Sequence, residues 1–184
     1  MLPPGGTARS AKGVHMSHWV LRLLKHRRVD ERDAQRLLGA GALERIAARV
    51  AASERGHSGE IRVCVEAGLP LSYLRRDAKP RERAVAMFGK LRVWDTEHNN
   101  GVLIYLLLAE RAIEIVADRG LARHVDATQW QRITATMQAA FQAGEFEAGL
   151  NQAIAAVDAL LREHFALAAG AANPNELPDA PTLR

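Results

Sequence analysis

The sequence predicts an α/β fold: a small mixed β-sheet, formed by a parallel crossover plus a hairpin, with helices on both faces. The unbroken apolar run Val102–Ala109 is too short to cross a bilayer and is typical of a strand buried on both faces. A short polar break, Glu110 and Arg111, separates it from a second apolar run, Ala112–Ala117, so the two strands form an antiparallel hairpin. An earlier strand pattern, Glu60–Glu66, is followed by a helical pattern, which gives the parallel crossover.

The first 56 residues predict a disordered segment and then short helices. Residues 1–16 are rich in Gly, Pro, Ala and Ser and are expected to be disordered, whereas 17–56 are expected to form N-terminal helices. The first of these is predicted at His18–Arg28. The next is capped by Asp30, with Asp33 at the position that closes a capping box.

The predicted helix His18–Arg28 is basic and amphipathic. Such a helix can lie on an anionic membrane surface, contact nucleic acid, or pack its apolar stripe against its own domain. The stripe is short, which favours packing against the domain. We expect no nucleic-acid partner, and a protein partner or a membrane surface is the candidate for this helix. Its apolar side chains are Val20, Leu21 and Leu24, and its basic ones include Arg22, Lys25 and Arg28.

The core domain is expected to span residues 57–165. Its first strand, Glu60–Glu66, alternates apolar and polar residues, which predicts a half-buried strand. Pro80 suits the first turn of the crossover helix. Beyond the hairpin, two helices carry apolar residues at helical spacing. Residues 166–184 contain prolines and no periodicity, so we expect a disordered tail.

Composition places the chain among ordinary globular proteins. Its 184 residues suit one domain with tails, and its net charge of +4 is modest. The single cysteine, Cys64, excludes an internal disulfide and fits a reducing compartment. No secretory signal or membrane span is evident, so we expect a cytoplasmic protein, peripheral to the membrane if its basic helix binds lipid. A small buried side chain is the favoured interpretation of Cys64 over a nucleophile.

The most informative polar segment precedes the central strand. The usual catalytic signatures are absent: no Gly-rich phosphate loop, no His-Glu-x-x-His, no Cys-x-x-Cys and no Gly-x-Ser-x-Gly. The loop before Gly101 is instead rich in oxygen ligands, and the hairpin returns Asp118 beside it, so a site for calcium or magnesium is one interpretation of this segment. The alternative is a solvated turn whose positive φ comes from the Asn-Asn-Gly sequence, and residue types alone favour it. The candidate metal ligands are Asp95, Glu97, Asn99, Asn100 and Asp118.

The block from Gly59 to Phe165 resembles the TPM domain family, also called the TPM phosphatase family. The resemblance rests on GEIRV, on FGKLRVWDTEHNNGVLIYLLLAERAIEIVADRG and on the pattern W-x-x-I…M…F-x-x-G-E-F-x-x-G-L. Within that family the chain is similar to a soluble branch without a signal peptide or C-terminal membrane anchor. The resemblance implies a sheet between helices and a divalent-cation site, often for calcium, in the loop before the central strand. It also implies weak acid-phosphatase activity in some members and a role in maintaining membrane protein complexes in others.

The sequence departs from the family pattern at two acidic positions. Members typically read Asp-Asn-Gly-Val before the central strand, and here Asn99 stands in place of the aspartate. They typically read Gly-Leu-Glu after the second hairpin strand, and here Ala122 stands in place of the glutamate. Losing two carboxylates weakens a hard-cation site. The expected function is therefore a non-catalytic binding or assembly module with a degenerate cation site. The alternative is a metal-assisted phosphomonoester hydrolase, whose catalytic residues would be Asp95, Asp118 and Arg119.

Overall fold

The computed structural model describes residues 12–184, with side chains from Val20 onwards except at 31 and 34. Of the segment 1–16 that the sequence predicts to be disordered, residues 1–11 lie outside the described residues. Residues 12–16 belong to the first helix. The helices are α1 Lys12–Arg27, α2 Glu31–Leu38, α3 Ala42–Glu54, α4 Leu71–Arg75, α5 Pro80–Lys90, α6 Arg119–Ala122, α7 Ala127–Gln142 and α8 Phe146–Phe165. The strands are β1 Ile61–Glu66, β2 Val102–Leu107, β3 Ala112–Ala117 and β4 Thr182–Leu183.

The four strands form one mixed sheet in the order β3-β2-β1-β4. β1 and β2 run parallel with Ile61 opposite Val102, and α5 lies in the crossover between them. β2 and β3 run antiparallel with Val102 opposite Ala117. Arg111 closes the hairpin in the left-handed region, with φ 49°. The predicted fold class is therefore confirmed.

Helices cover both faces of the sheet because alternate strand residues point into two separate cores. One core joins Val63 and Ile104 to apolar side chains of α2, α3, α7 and α8. The other joins Leu103 and Tyr105 to side chains of α4 and α5, including Met87. The predicted capping box of Asp30 and Asp33 forms on α2, and Asp126 caps α7.

The prediction that β1 is half-buried is wrong, since all six of its residues are buried. Its polar side chains have partners from distant segments. Glu66 accepts hydrogen bonds from the Arg83 guanidinium, the shortest at 2.6 Å, and from the Tyr105 hydroxyl at 2.6 Å. The Arg62 guanidinium donates to the hydroxyl of Thr182 at 2.9 Å. Paired polar groups tolerate burial, so alternation in β1 does not mean exposure to solvent.

The C-terminal segment also differs from the expected disordered tail. β4 pairs in parallel with β1, where Cys64 lies opposite Thr182. The buried carboxylate of Glu60 accepts the backbone N–H groups of Glu176 and Leu177, at 3.1 and 3.2 Å. Leu177 itself is buried against the second core. The segment is held by these long-range contacts rather than by a periodic apolar pattern of its own.

Helix α1 faces the domain with a different side from the one predicted. Leu23 packs on the second core, and buried His26 accepts the backbone N–H of Leu69 at 2.9 Å. The predicted stripe instead faces solvent: Val20, Leu21 and Leu24 are 42, 67 and 47% exposed. Packing of that stripe onto the domain was thus the wrong expectation. No helix within residues 12–184 is long and apolar enough to span a membrane.

Candidate functional site

The loop before β2 and the turn after β3 meet at one rim of the sheet. The N–H of Asp118 donates to the carbonyl of Gly101 at 2.9 Å, and the N–H of Gly120 donates to the carbonyl of Asn99 at 2.8 Å. The antiparallel pairing of β2 with β3 requires this meeting, because the start of one strand lies beside the end of the other. The sequence predicted this juxtaposition correctly. We call these two segments, residues 95–101 and 118–120, the rim corner.

Two glycines allow the close approach of backbone at the rim corner. A Cβ on Gly120 would lie 2.4 Å from the carbonyl oxygen of Asn99, and one on Gly101 would lie 2.0 Å from that of Val93. Any larger residue would push the segments apart. The packing of the corner therefore requires glycine at positions 101 and 120.

The loop forms the turn that its residue types suggested, but the turn is not simply solvated. Asn99 takes the positive φ, at 52°. The hydroxyl of Thr96 accepts the N–H of Asn100 at 3.1 Å, and both residues are buried, Asn100 completely. A buried asparagine at the base of a surface loop is one feature that residue types did not indicate.

Two of the predicted ligands lie away from the interior of the corner. Asp95 is exposed and forms an ion pair with Arg92, three residues earlier. Glu97 is also exposed, and its backbone N–H donates to the carboxylate of Glu176 at 3.0 Å.

Asn99, a third predicted metal ligand, is hydrogen-bonded to Arg119. The Nε and Nη2 atoms of Arg119 donate to Oδ1 of Asn99 at 3.1 and 2.9 Å. The side-chain oxygen that would face a cation in a metal site thus faces a guanidinium. This contact also ties the loop before β2 to the turn after β3.

Asn100 and Asp118 leave acceptor atoms unpaired. Asn100 donates from Nδ2 to the hydroxyl of Ser58 at 3.2 Å, while its Oδ1 is buried without a hydrogen-bond partner among the described residues. Asp118 caps the short helix α6 by accepting the N–H of Arg119 at 2.7 Å, and its Oδ2 is likewise buried and unpaired within the described part of the chain. Buried acceptors of this kind require a donor, a water molecule or a cation.

Comparison with known proteins identifies the family. The TPM domain matches residues 32–160, which is more than half of the chain and includes α3 and the three strands β1, β2 and β3. The chain belongs to the TPM domain family. No curated protein matches the sequence.

Two solved structures resemble this TPM domain. The BA42 protein from the psychrophilic bacterium Bizionia argentinensis, solved by NMR, is 26% identical with a TM-score of 0.68, and the match covers 79% of this chain and 94% of that one. The N-terminal domain of a protein from P. gingivalis, also an NMR structure, is 24% identical with a TM-score of 0.55, over 70% of this chain and 81% of that one. The second likeness concerns the fold alone.

The residues of this TPM domain do not fit a strong divalent-cation site. Within residues 12–184, no three His, Cys, Asp or Glu side chains are grouped so that they could hold a metal ion. At the rim corner, Asp118 is the one carboxylate with an unpaired buried oxygen, and the guanidinium of Arg119 is bound to Asn99 in the same corner. Because hard cations depend on the number of negative ligands, one carboxylate next to a guanidinium supports weak binding at most.

A second polar group in this TPM domain has the composition of a catalytic triad but not its arrangement. The hydroxyl of Ser53 lies 3.1 Å from Nε2 of His57 and donates to Oδ1 of Asp158 at 2.9 Å, while Nδ1 of His57 donates to the carbonyl of Gly59. In a triad the serine and the carboxylate contact opposite ring nitrogens. Here both face Nε2, and Ser53 and His57 are buried. Burial lowers the pKa of His57 below its usual value. The hydrogen bond from Ser53 to Asp158 links α3 to α8.

Proposed function

We propose that this TPM domain is a non-catalytic binding or assembly module whose divalent-cation site is degenerate. The observation that carries the proposal is the guanidinium of Arg119 on Oδ1 of Asn99. A protein side chain there supplies the positive charge and the link between loops that a cation would otherwise supply. Such a corner keeps its shape without metal, and a fold can outlast the site it once carried.

The charges around the corner support the same proposal. Asp95 is neutralised by Arg92, and Arg123 donates from Nε to the carbonyl of Arg119 at 3.1 Å. Three arginines are therefore placed at or beside the two segments. These arginines offset the negative charge of the carboxylates at the corner and so weaken its attraction for a free divalent cation.

The partner of the module, in this proposal, is a protein or a membrane surface that contacts helix α1. The exposed leucines of that helix and its basic residues are the support for this assignment. An exposed apolar stripe with cations beside it is typical of an interaction surface rather than of a helix that only completes the core.

A metal-assisted phosphomonoester hydrolase is the second candidate. The specific observation in its favour is the pair of unpaired buried acceptors, Oδ1 of Asn100 and Oδ2 of Asp118. These two oxygens at the rim corner would bind a cation if oxygen atoms of the substrate or of water supplied its remaining ligands. This candidate requires metal-dependent turnover that depends on Asp118.

The deciding experiment measures cation binding and phosphatase activity together. The protein is titrated with calcium, magnesium and manganese by calorimetry, and p-nitrophenyl phosphate hydrolysis is followed with and without each metal. The variant Asp118→Asn retains an acceptor for the helix cap while removing the charge. Asp95→Asn is the matched control, because that carboxylate is exposed and faces Arg92.

A non-catalytic module predicts calcium dissociation constants above about 1 mM, weaker than those of extracellular calcium modules, and turnover equal to the buffer blank. Asp118→Asn and Asp95→Asn would then both leave these values unchanged. Micromolar binding with metal-dependent turnover, lost in Asp118→Asn and kept in Asp95→Asn, would establish the hydrolase instead.

A further inference from the structure

An apolar groove lies between α1, α2 and the start of α8. Its cavity volume is about 410 Å³, and its floor is formed by the buried side chains of Leu108, Ala109 and Phe146. Its walls include three leucines that face solvent: Leu21 is 67% exposed, and Leu24 and Leu37 are each 47% exposed. Exposed leucines from two helices around a recessed apolar floor mark an interaction site rather than scattered surface apolar residues.

The rim of this groove is positively charged. Lys25, Arg28 and Arg111 line it, and none of the described residues that line it is acidic. The nearby carboxylate of Glu110 is already paired with Arg22 and His26, at 2.7 and 2.8 Å. The groove therefore combines an apolar interior with cations at its edge.

The groove and the rim corner lie at opposite ends of the central strand. The corner precedes Val102, where β2 begins, whereas the groove contains Leu108 and Ala109, directly after β2 ends at Leu107. Six strand residues separate them, a distance of about 20 Å. Binding in the groove is therefore possible whether or not the corner holds a metal.

We propose that the groove binds an amphipathic helix of a partner protein, with leucine-like side chains on its inner face and acidic residues along its flanks. This inference rests on the proposed function, since it names the partner of the module. Apolar anchors spaced along one helix face would fill the groove between Leu24 and Leu37. Glutamate or aspartate on the flanks would meet Lys25 and Arg28, which sets the orientation and favours acidic partners over basic ones.

Three other occupants fit the groove less well. A flat bilayer would reach the protruding leucines but not the recessed Leu108 and Phe146. A second copy of the chain in a symmetric dimer would bring the basic rims together, because such an interface pairs a surface with itself. The third occupant would be residues 1–11 of the chain itself. Their one charged side chain, Arg9, is positive and would be repelled by the basic rim.

The test uses the full chain and synthetic peptides of about 18 residues, long enough for a five-turn helix. The first peptide has leucines at helical spacing and glutamates on both flanks. The second replaces the glutamates with lysines, and the third scrambles the first. Binding is measured by fluorescence anisotropy. Binding to a bilayer is tested with vesicles of phosphatidylcholine with and without phosphatidylglycerol. Self-association is tested by sedimentation equilibrium of the protein alone.

The variants separate the groove from the rest of the surface. Leu24→Gln with Leu37→Gln removes two wall residues, and its control, Leu71→Gln with Val85→Gln, changes two residues of similar exposure elsewhere. Lys25→Glu with Arg28→Glu reverses the rim charge. All of the substituted side chains are exposed to solvent, so the variants are expected to fold.

We expect saturable binding of the acidic peptide alone, weakened at least about tenfold by the leucine pair and not by its control. The charge-reversed variant should prefer the lysine peptide. Equal binding of the scrambled peptide, or none of the acidic one, would overturn the proposal. So would leucine-dependent vesicle binding or self-association without peptide binding. Peptide binding tests the groove, whereas metal-dependent turnover tests the non-catalytic assignment. A failure of either proposal can therefore be distinguished from a failure of the other.

Discussion

Asn99 and Arg119 are joined by two hydrogen bonds from one guanidinium to one amide oxygen, at 3.1 and 2.9 Å. The contact spans the two segments that the sequence predicted would share a divalent cation. In the family pattern that the sequence resembles, the position of Asn99 is typically an aspartate. In this TPM domain a guanidinium joins the two loops through the amide oxygen of Asn99.

A carboxylate restored at position 99 should not restore metal binding while Arg119 is present. In Asn99→Asp the guanidinium would neutralise the new charge, whereas Asn99→Asp with Arg119→Gln and Ala122→Glu would leave two new carboxylates unopposed. We expect calorimetry to detect calcium binding at least about tenfold tighter in the triple variant than in Asn99→Asp. Equal affinity in the two variants would show that Arg119 does not exclude the cation.

The polar group of Ser53, His57 and Asp158 should matter for stability and not for hydrolysis. Ser53→Ala removes the hydroxyl that contacts His57 and Asp158, so the buried His57 loses a polar contact. We expect the free energy of unfolding to fall by about 1–3 kcal/mol. Urea denaturation measures this cost, with the exposed Ser72→Ala as the matched control. Labelling of Ser53 by a fluorophosphonate, or an esterase activity lost in Ser53→Ala, would contradict the structural role.

Most of the fold was predictable from local sequence. The apolar run of β2 and the short polar break after it fix the hairpin, and Pro80 marks the crossover helix. The hairpin in turn brings Gly101 beside Asp118, so the position of the rim corner followed from strand pairing alone. These features depend on residues that are close in sequence or joined by one tight turn, where pattern and structure are directly linked.

The remaining features depend on partners distant in sequence. Glu60 reads as a solvent-facing residue of an alternating strand, yet backbone groups 116 and 117 residues away satisfy its carboxylate. The same contacts order a C-terminal segment that has no pattern of its own. At the corner, residue types could not tell that Asn99 would turn to Arg119 or that Asp95 would turn to Arg92. Side-chain direction is set by the local φ and by competing ion pairs, which composition does not encode.

Removal of the C-terminal segment should destabilise the domain strongly. Truncation after Ala172 strips the partners of Glu60 and Arg62 and exposes the edge of β1, since the buried charges lose their hydrogen bonds. We expect a loss of about 3–5 kcal/mol, together with aggregation through the free strand edge. Truncation after Pro181 removes β4 but keeps the contacts of Glu60, so its cost should be clearly smaller. Thermal melting and size-exclusion chromatography measure both, and equal melting temperatures for the two truncations would refute the role of the Glu60 contacts.

Glu54 should make the stability of the protein fall as the pH rises. Its side chain is 4% exposed, and burial, with the nearby carboxylates of Glu60 and Asp179, raises its pKa to about 9. The folded state therefore holds a proton that the unfolded chain, with a pKa of 4.5, releases. Between these two values the free energy of unfolding decreases with pH, by at most about 1.4 kcal/mol per unit for one proton.

The variant Glu54→Gln isolates this contribution because glutamine keeps the acceptor that receives the N–H of Ile61 at 2.8 Å, yet carries no titrating proton. We expect its melting temperature to decline less than that of the wild type between pH 6 and pH 9, and to exceed it by several degrees at the upper end. Glu44→Gln, an exposed change on the same helix, is the control and should follow the wild type. Burial also raises the pKa of Glu60 and of Glu114, so the slope should flatten without vanishing. Parallel curves for Glu54→Gln and the wild type would mean that Glu54 is ionised in the folded protein at neutral pH, which is incompatible with its buried position beside two other carboxylates.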